Sequence, residues 1–98
     1  MTHLTKKNMD RMTSNLRAML TGKRIMQKDL RNNRTECFKV ADVSNSERGY
    51  LVIKGELQFD ILYVPYMAGE ALLNDRYCIY RENYDTSVIE YEISICED

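Results

Sequence analysis

Ile89-Glu90-Tyr91-Glu92-Ile93-Ser94-Ile95 alternates strictly between apolar and polar side chains. Successive residues of a β-strand point to opposite faces. Ile89, Tyr91, Ile93 and Ile95 therefore share one face, and Glu90, Glu92 and Ser94 share the other. So regular a division belongs to an antiparallel sheet with one side in water. The same period of two recurs upstream. Arg76 to Arg81 predicts a strand, followed by a turn at Glu82-Asn83-Tyr84-Asp85. Leu57, Phe59, Ile61 and Tyr63 alternate with Gln58 and Asp60. They predict a hairpin with Tyr50-Leu51-Val52-Ile53 across a turn at Gly55-Glu56. Phe38 and Val40 alternate with Lys39 and Ala41 in a shorter strand, and a polar loop runs from Ser44 to Gly49. Pro65, the only proline, ends the strand before it. Met67 to Leu73 predicts a helical turn or two, stopped at Asn74-Asp75.

Before Glu36 the period is helical. Met9, Met12, Leu16 and Met19, with Leu20 beside them, form one stripe at 3.6-residue spacing. Thr5 is the expected N-cap and Gly22 the expected stop. Ile25, Met26 and Leu30 predict a short second helix that breaks at Asn32-Asn33. Helices first and strands later define an α+β class. The expected fold is an N-terminal basic helix, with a second short one, packed on a four- or five-stranded, mostly antiparallel sheet. Residues 1–98 make a single domain, divided into a basic helical arm (1–34) and an acidic, tyrosine-rich β region (35–98).

Charge follows that division. The formal net charge is −1, but residues 1–34 hold nine basic groups against two acids, and the remaining 64 hold five against thirteen. One part is +7 and the other −8, an asymmetry that suggests a charged partner. Lys6, Lys7, Arg11 and Arg17 fall mostly off the apolar stripe. They are either a solvated face or, beside flexible methionines such as Met12, a docking surface. Nine cations in the arm would suit phosphates. The near-neutral whole and the acidic sheet argue against tight binding to DNA.

The chemistry needed for catalysis is sparse. His3 is the only histidine, so a nucleophile paired with an imidazole base has one candidate, near the chain end. No phosphate-cradling glycine pattern occurs. Cys37, Cys78 and Cys96 are odd in number and lack CxxC spacing, which points to reduced thiols and to neither a disulfide framework nor a zinc site. No cofactor is expected. Glu90 and Glu92 share a strand face with α-carbons ~6.8 Å apart, and a soluble outer face accounts for them. No apolar run suits a signal peptide or approaches the ~20 residues that span a bilayer, so a cytoplasmic protein is expected.

All seven tyrosines lie in the second half of the chain. Strand propensity explains some of them. Tyrosine and arginine are also enriched in binding hot spots, and Arg76-Tyr77-Cys78-Ile79-Tyr80-Arg81 interleaves the two. That hexamer resembles a base-stacking platform, although Asp75, Glu82 and Asp85 around it repel phosphate. Tyr63-Val64-Pro65-Tyr66 offers a second exposed candidate. Its X–Pro bond would make it a target for a host prolyl isomerase.

The length, the basic Met-rich helix from Thr5 to Leu20, and a tyrosine-rich β half ending in Ile95-Cys96-Glu97-Asp98 together resemble the small accessory anti-RecBCD proteins of lambdoid phages. The resemblance spans the whole chain and rests on no diagnostic motif. It implies a non-enzymatic protein of the host cytoplasm that binds the RecBCD helicase–nuclease through RecC. Such a protein alters DNA-end processing or the Chi response in favour of phage recombination. On this reading the contact residues are Lys6, Lys7, Arg11, Met12, Arg17, Tyr63, Pro65, Tyr66, Arg76, Tyr77, Tyr80 and Arg81. The competing expectations are another phage inhibitor of host defence, of the anti-CRISPR or anti-restriction kind, and a non-specific nucleic-acid-binding module.

Overall fold

The computed structural model describes residues 5–96, so His3 and the acidic end at Glu97-Asp98 lie outside the described residues. The chain forms α1 (Lys6–Leu20), β1 (Arg24–Asp29), β2 (Arg34–Asn45), β3 (Tyr50–Gly55), β4 (Ile61–Pro65), α2 (Tyr66–Asp75), β5 (Tyr77–Tyr84) and β6 (Ser87–Cys96). The six strands pair antiparallel in the order β4-β3-β2-β1-β6-β5. The class is α+β, with α1 packed on the sheet over β2.

The start of α1 follows its local chemistry. The Thr5 hydroxyl accepts from the Asn8 amide at 3.1 Å, satisfying a donor that the first turn leaves unpaired. At the other end Gly22 takes φ +87°, a left-handed conformation that glycine adopts without strain. Its amide bonds to the Val40 carbonyl at 2.9 Å, which ties the turn after α1 to β2. Met9, Met12, Leu16 and Leu20 are buried. Each large side chain so removed from water contributes about 1.5–3 kcal/mol.

The segment after α1 differs from its expected helix. Residues 24–29 form β1, which sits inside the sheet between β2 and β6. Ile25 is fully buried, opposite Phe38 on one side and Ile95 on the other. As a strand, Ile25 enters the core and Met26 points to the other face of the sheet. The basic residues acquire acidic neighbours across the ladder, Lys28 beside Glu92 and Arg34 opposite Asp29. The turn that follows is held by the Asp29 carboxylate, which accepts from the Arg31 and Asn32 amides and from Asn32 Nδ2. These bonds, the side-chain one first, hold the Asp29 carboxyl below its usual range. Residues 24–29 thus belong to the sheet where a helix was expected, and among the described residues the sheet has six strands where four or five were expected.

Smaller differences concern strand ends. The strand expected from Leu57 begins at Ile61. Gly55 N–H to Asp60 O and Asp60 N–H to Leu57 O close a loop first, leaving Leu57 and Phe59 exposed. The turn expected at residues 82–85 is strand as far as Tyr84, and only Asp85-Thr86 turn. Pro65 does end its strand, with an ordinary trans bond, since no cis peptide occurs among the described residues. The helix after it runs a full ten residues and ends at Arg76, which takes φ +58°.

The sheet is strongly curled. β3 and β5 are four strand spacings apart in the ladder, roughly 19 Å on a flat sheet. Yet Tyr50 of β3 bonds to Glu82 of β5 at 3.2 Å. A register shift between Val40 and Asp42 supplies a bend in β2. Arg17 fastens α1 there, donating to Asp42 Oδ1 at 2.9 Å and, through Nη2, to the Val43 carbonyl at 2.6 Å. No helix among the described residues is long and apolar enough to cross a membrane.

Two outcomes test this architecture. A Cβ on Gly69 of α2 would stand 2.1 Å from Leu51 Cδ1 and 3.1 Å from Leu16 Cδ1, two fully buried side chains. Gly69→Ala should therefore destabilise by about 1–3 kcal/mol through overpacking, although alanine is the better helix former by ~1 kcal/mol; chemical denaturation measures it. The second outcome concerns β5. Ile95 N–H bonds to Arg76 O, and backbone groups alternate in direction along a strand. Cys78, Tyr80, Glu82 and Tyr84 consequently bond toward β6, and Tyr77, Ile79, Arg81 and Asn83 point theirs along the free edge. Hydrogen-exchange NMR should find the amides of Tyr77, Ile79, Arg81 and Asn83 exchanging faster than those of Cys78, Tyr80 and Glu82 in the strand interior.

Candidate functional site

The strand pairing of β5 with β6 sets Tyr80 opposite Tyr91, and their rings stack with centroids 5.4 Å apart. Glu82 and Tyr84 follow Tyr80 at alternate positions and so share its face. The curl of the sheet then brings β3 and β4 across from them. The result is a cleft of about 300 Å³ lined by Tyr50, Tyr63, Tyr80, Tyr84 and Tyr91. Gln27, Glu36, Asn83 and Glu82 supply its polar lining, with Ile61 and Leu62 at one side. Among the described residues, glutamates are its only charged groups.

The hydroxyls are bonded among themselves. Gln27 Nε2 donates to the Tyr80 hydroxyl. The Tyr84 and Tyr91 hydroxyls lie 3.1 Å apart. Tyr50 donates to Glu82 Oε2. Glu82 Oε1 is buried and has no hydrogen-bond partner. A buried acceptor left so costs about 1–3 kcal/mol, more when charged. Its charge is felt around it. Glu82 raises the Tyr50 phenol above its ordinary value, while burial is the main cause at Tyr80 and Tyr91, with Glu82 adding to both.

A second, wider groove of about 620 Å³ runs between α2 and β5, bordered by Pro65, Met67, Ala71, Ile79, Tyr80 and Arg81. It lies along the edge where β5 has no strand neighbour.

The expected contact residues are dispersed. Lys6, Lys7 and Arg11 are exposed on α1. Arg17 is engaged with Asp42 and Val43. Met12 requires correction as a docking residue: at 7% exposure it belongs to the core beneath α1. Tyr63 and Tyr80 line the cleft, while Pro65, Tyr80 and Arg81 meet at the groove. Tyr66 packs half-buried against the core. Arg76 occupies the exposed turn after α2. The hexamer 76–81 is no single platform, because Tyr77, Ile79 and Arg81 take one face of β5 and Cys78 and Tyr80 the other. Arg81 pairs with Glu90 across the strands at 3.1 Å.

Tyr50, Glu82, Tyr84, Tyr91 and Gln27 were not among the expected site residues. The signal for Glu82 and Tyr84 was their parity with Tyr80, visible once β5 is extended past Arg81, and Tyr91 follows from its pairing with Tyr80. Gln27 comes from β1, which pairs directly with β6, and Tyr50 comes from a strand that only the curl brings near.

The raised tyrosines give a pH dependence of definite sign. Their neutral forms are favoured in the folded state, so this contribution to stability is complete below the ordinary value of 10.0 and is lost as pH rises through the folded values. Phenolate absorbance should show part of the tyrosine complement of the native protein ionising later than in the denatured chain. Stability should fall above pH 10.0, less steeply in Tyr80→Phe.

No protein-family description matches the chain, and no curated protein or solved structure matches it either.

Proposed function

We propose that this chain is a non-catalytic binding protein and that the tyrosine-lined cleft is where it engages a partner protein. The observation that carries the reading is the gathering of Tyr50, Tyr63, Tyr80, Tyr84 and Tyr91 around one opening. Strand propensity would scatter tyrosines over both faces of the sheet. Five on one cleft offer rigid, amphipathic contact area that loses little side-chain entropy on binding. Among the described residues, the cleft's lining contains no serine, cysteine or histidine.

For the partner, the whole-chain resemblance places the host RecBCD helicase–nuclease first, through RecC, with the host cytoplasm as the site of action. The exposed cations Lys6, Lys7 and Arg11 steer the encounter, and the cleft supplies the contact that resists dissociation. Binding of purified protein to immobilised RecBCD tests this. Tyr84→Ala, at a half-exposed side chain, should raise the dissociation rate about tenfold or more, as at a hot spot. Reversing Lys6, Lys7 and Arg11 to Glu should slow association and flatten its salt dependence. Duplex and single-stranded DNA at ~150 mM salt should bind no tighter than the ordinary non-specific range. Nanomolar DNA binding would overturn the protein-partner reading. Absence of any RecBCD binding would remove that partner and return the anti-CRISPR and anti-restriction classes.

A further inference from the structure

The lining of the cleft is one-sided in charge. Glu36 and Glu82 contribute acid, and among the described residues no lysine, arginine or histidine lines it. The rings themselves add to this, since an aromatic face carries the negative part of its quadrupole. Such a site selects cations: a charged nitrogen over tyrosine faces gains about 0.5–1 kcal/mol when exposed and about 2 or more when desolvated. The tyrosine hydroxyls do not compete, because those of Tyr50, Tyr80, Tyr84 and Tyr91 are already bonded within the site.

Glu82 narrows the choice of cation. Its Oε2 accepts from Tyr50, and its Oε1 is buried without a partner. A guanidinium pairs best with a carboxylate through a two-pronged fork that needs both oxygens. One free oxygen suits the compact point charge of an ammonium group. The apolar border at Ile61 and Leu62 matches the methylene stem that carries such a group.

We propose that the cleft receives a lysine side chain of the partner protein, with its ammonium group against Glu82 Oε1. This rests on the cleft being the partner-binding surface, and it names the chemistry recognised there. An ammonium at that position gives the buried oxygen its missing donor and cancels charge that otherwise burdens the surrounding phenols.

The test uses the full chain and three small probes of one shape: N-acetyl-lysine methylamide, its arginine counterpart, and the norleucine counterpart, which keeps the stem and lacks the charge. Tyrosine ring resonances are followed by NMR during titration. The lysine probe should shift the rings of Tyr50, Tyr80, Tyr84 and Tyr91 saturably and bind at least tenfold more tightly than norleucine. Glu82→Gln keeps an acceptor for Tyr50 and should abolish that preference, while Glu36→Gln should leave most of it. Thermal melting confirms that each variant is folded. Equal response to lysine and norleucine, tighter binding of arginine, or an unaltered preference in Glu82→Gln would each overturn the proposal. Failure here is separable from failure of the binding reading. If Tyr84→Ala weakens partner binding but Glu82→Gln does not, the surface stands and the lysine does not.

Discussion

Ile25 has no solvent exposure, and the rest of the sheet depends on how it is buried. It sits in β1, whose backbone pairs with β2 on one side and β6 on the other. A strand with two neighbours satisfies its donors and acceptors along both edges, which water cannot do inside a core. That arrangement joins the first strand to the last and places the basic segment against the acidic one. The separation of charge along the sequence is therefore undone in space. Lys28 lies beside Glu92, Arg34 opposite Asp29, and Arg17 of α1 meets Asp42 of β2. Of these, Arg17 and Asp42 form an exposed ion pair, which contributes little to stability, of the order of 0–1 kcal/mol.

The two ends of the sheet are treated differently. β4 is short and finishes at Pro65, which has no N–H to offer a neighbour. β5 is longer, lacks proline and lysine, and exposes Tyr77 and Ile79. Natural edge strands are usually blunted by those very devices. Here the shelter is partial: α2 lies along one side of β5, and the groove between them stays open. The curl that carries Tyr50 to Glu82 forms the cleft as a consequence.

Much of the fold is legible in single residues. Thr5 and Gly22 bound α1, the Met9–Met12–Leu16 stripe gives its buried side, and the alternation of Ile89 to Ile95 yields β6. The misreading of residues 24–29 has a simple cause. Six residues containing one fully buried side chain carry too little periodicity to distinguish a strand from a helical turn. What decides between them is the pair of strands waiting on either side, more than sixty residues apart in sequence at the far partner. The cleft has the same character. Tyr80 and Tyr63 attract notice as tyrosines, but Glu82 reads as an ordinary acid in a turn until β5 is seen to continue through it.

The sequence by itself determines the α+β class, the inward stripe of α1, the two faces of β6 and the preponderance of tyrosine in the second half. These depend on neighbours a few residues apart, where helix and strand periodicities act directly. Only the tertiary structure decides that β1 is central, that the sheet curls, and that Tyr50 closes on Glu82. Those features follow from which strand edges pair and where β2 bends at Val40, and both are settled by contacts between residues far apart in the chain. The complete site lies among the second kind, because the hairpin brings Tyr80, Tyr84 and Tyr91 together but Tyr50 and Tyr63 join them only when distant strands share one curved surface.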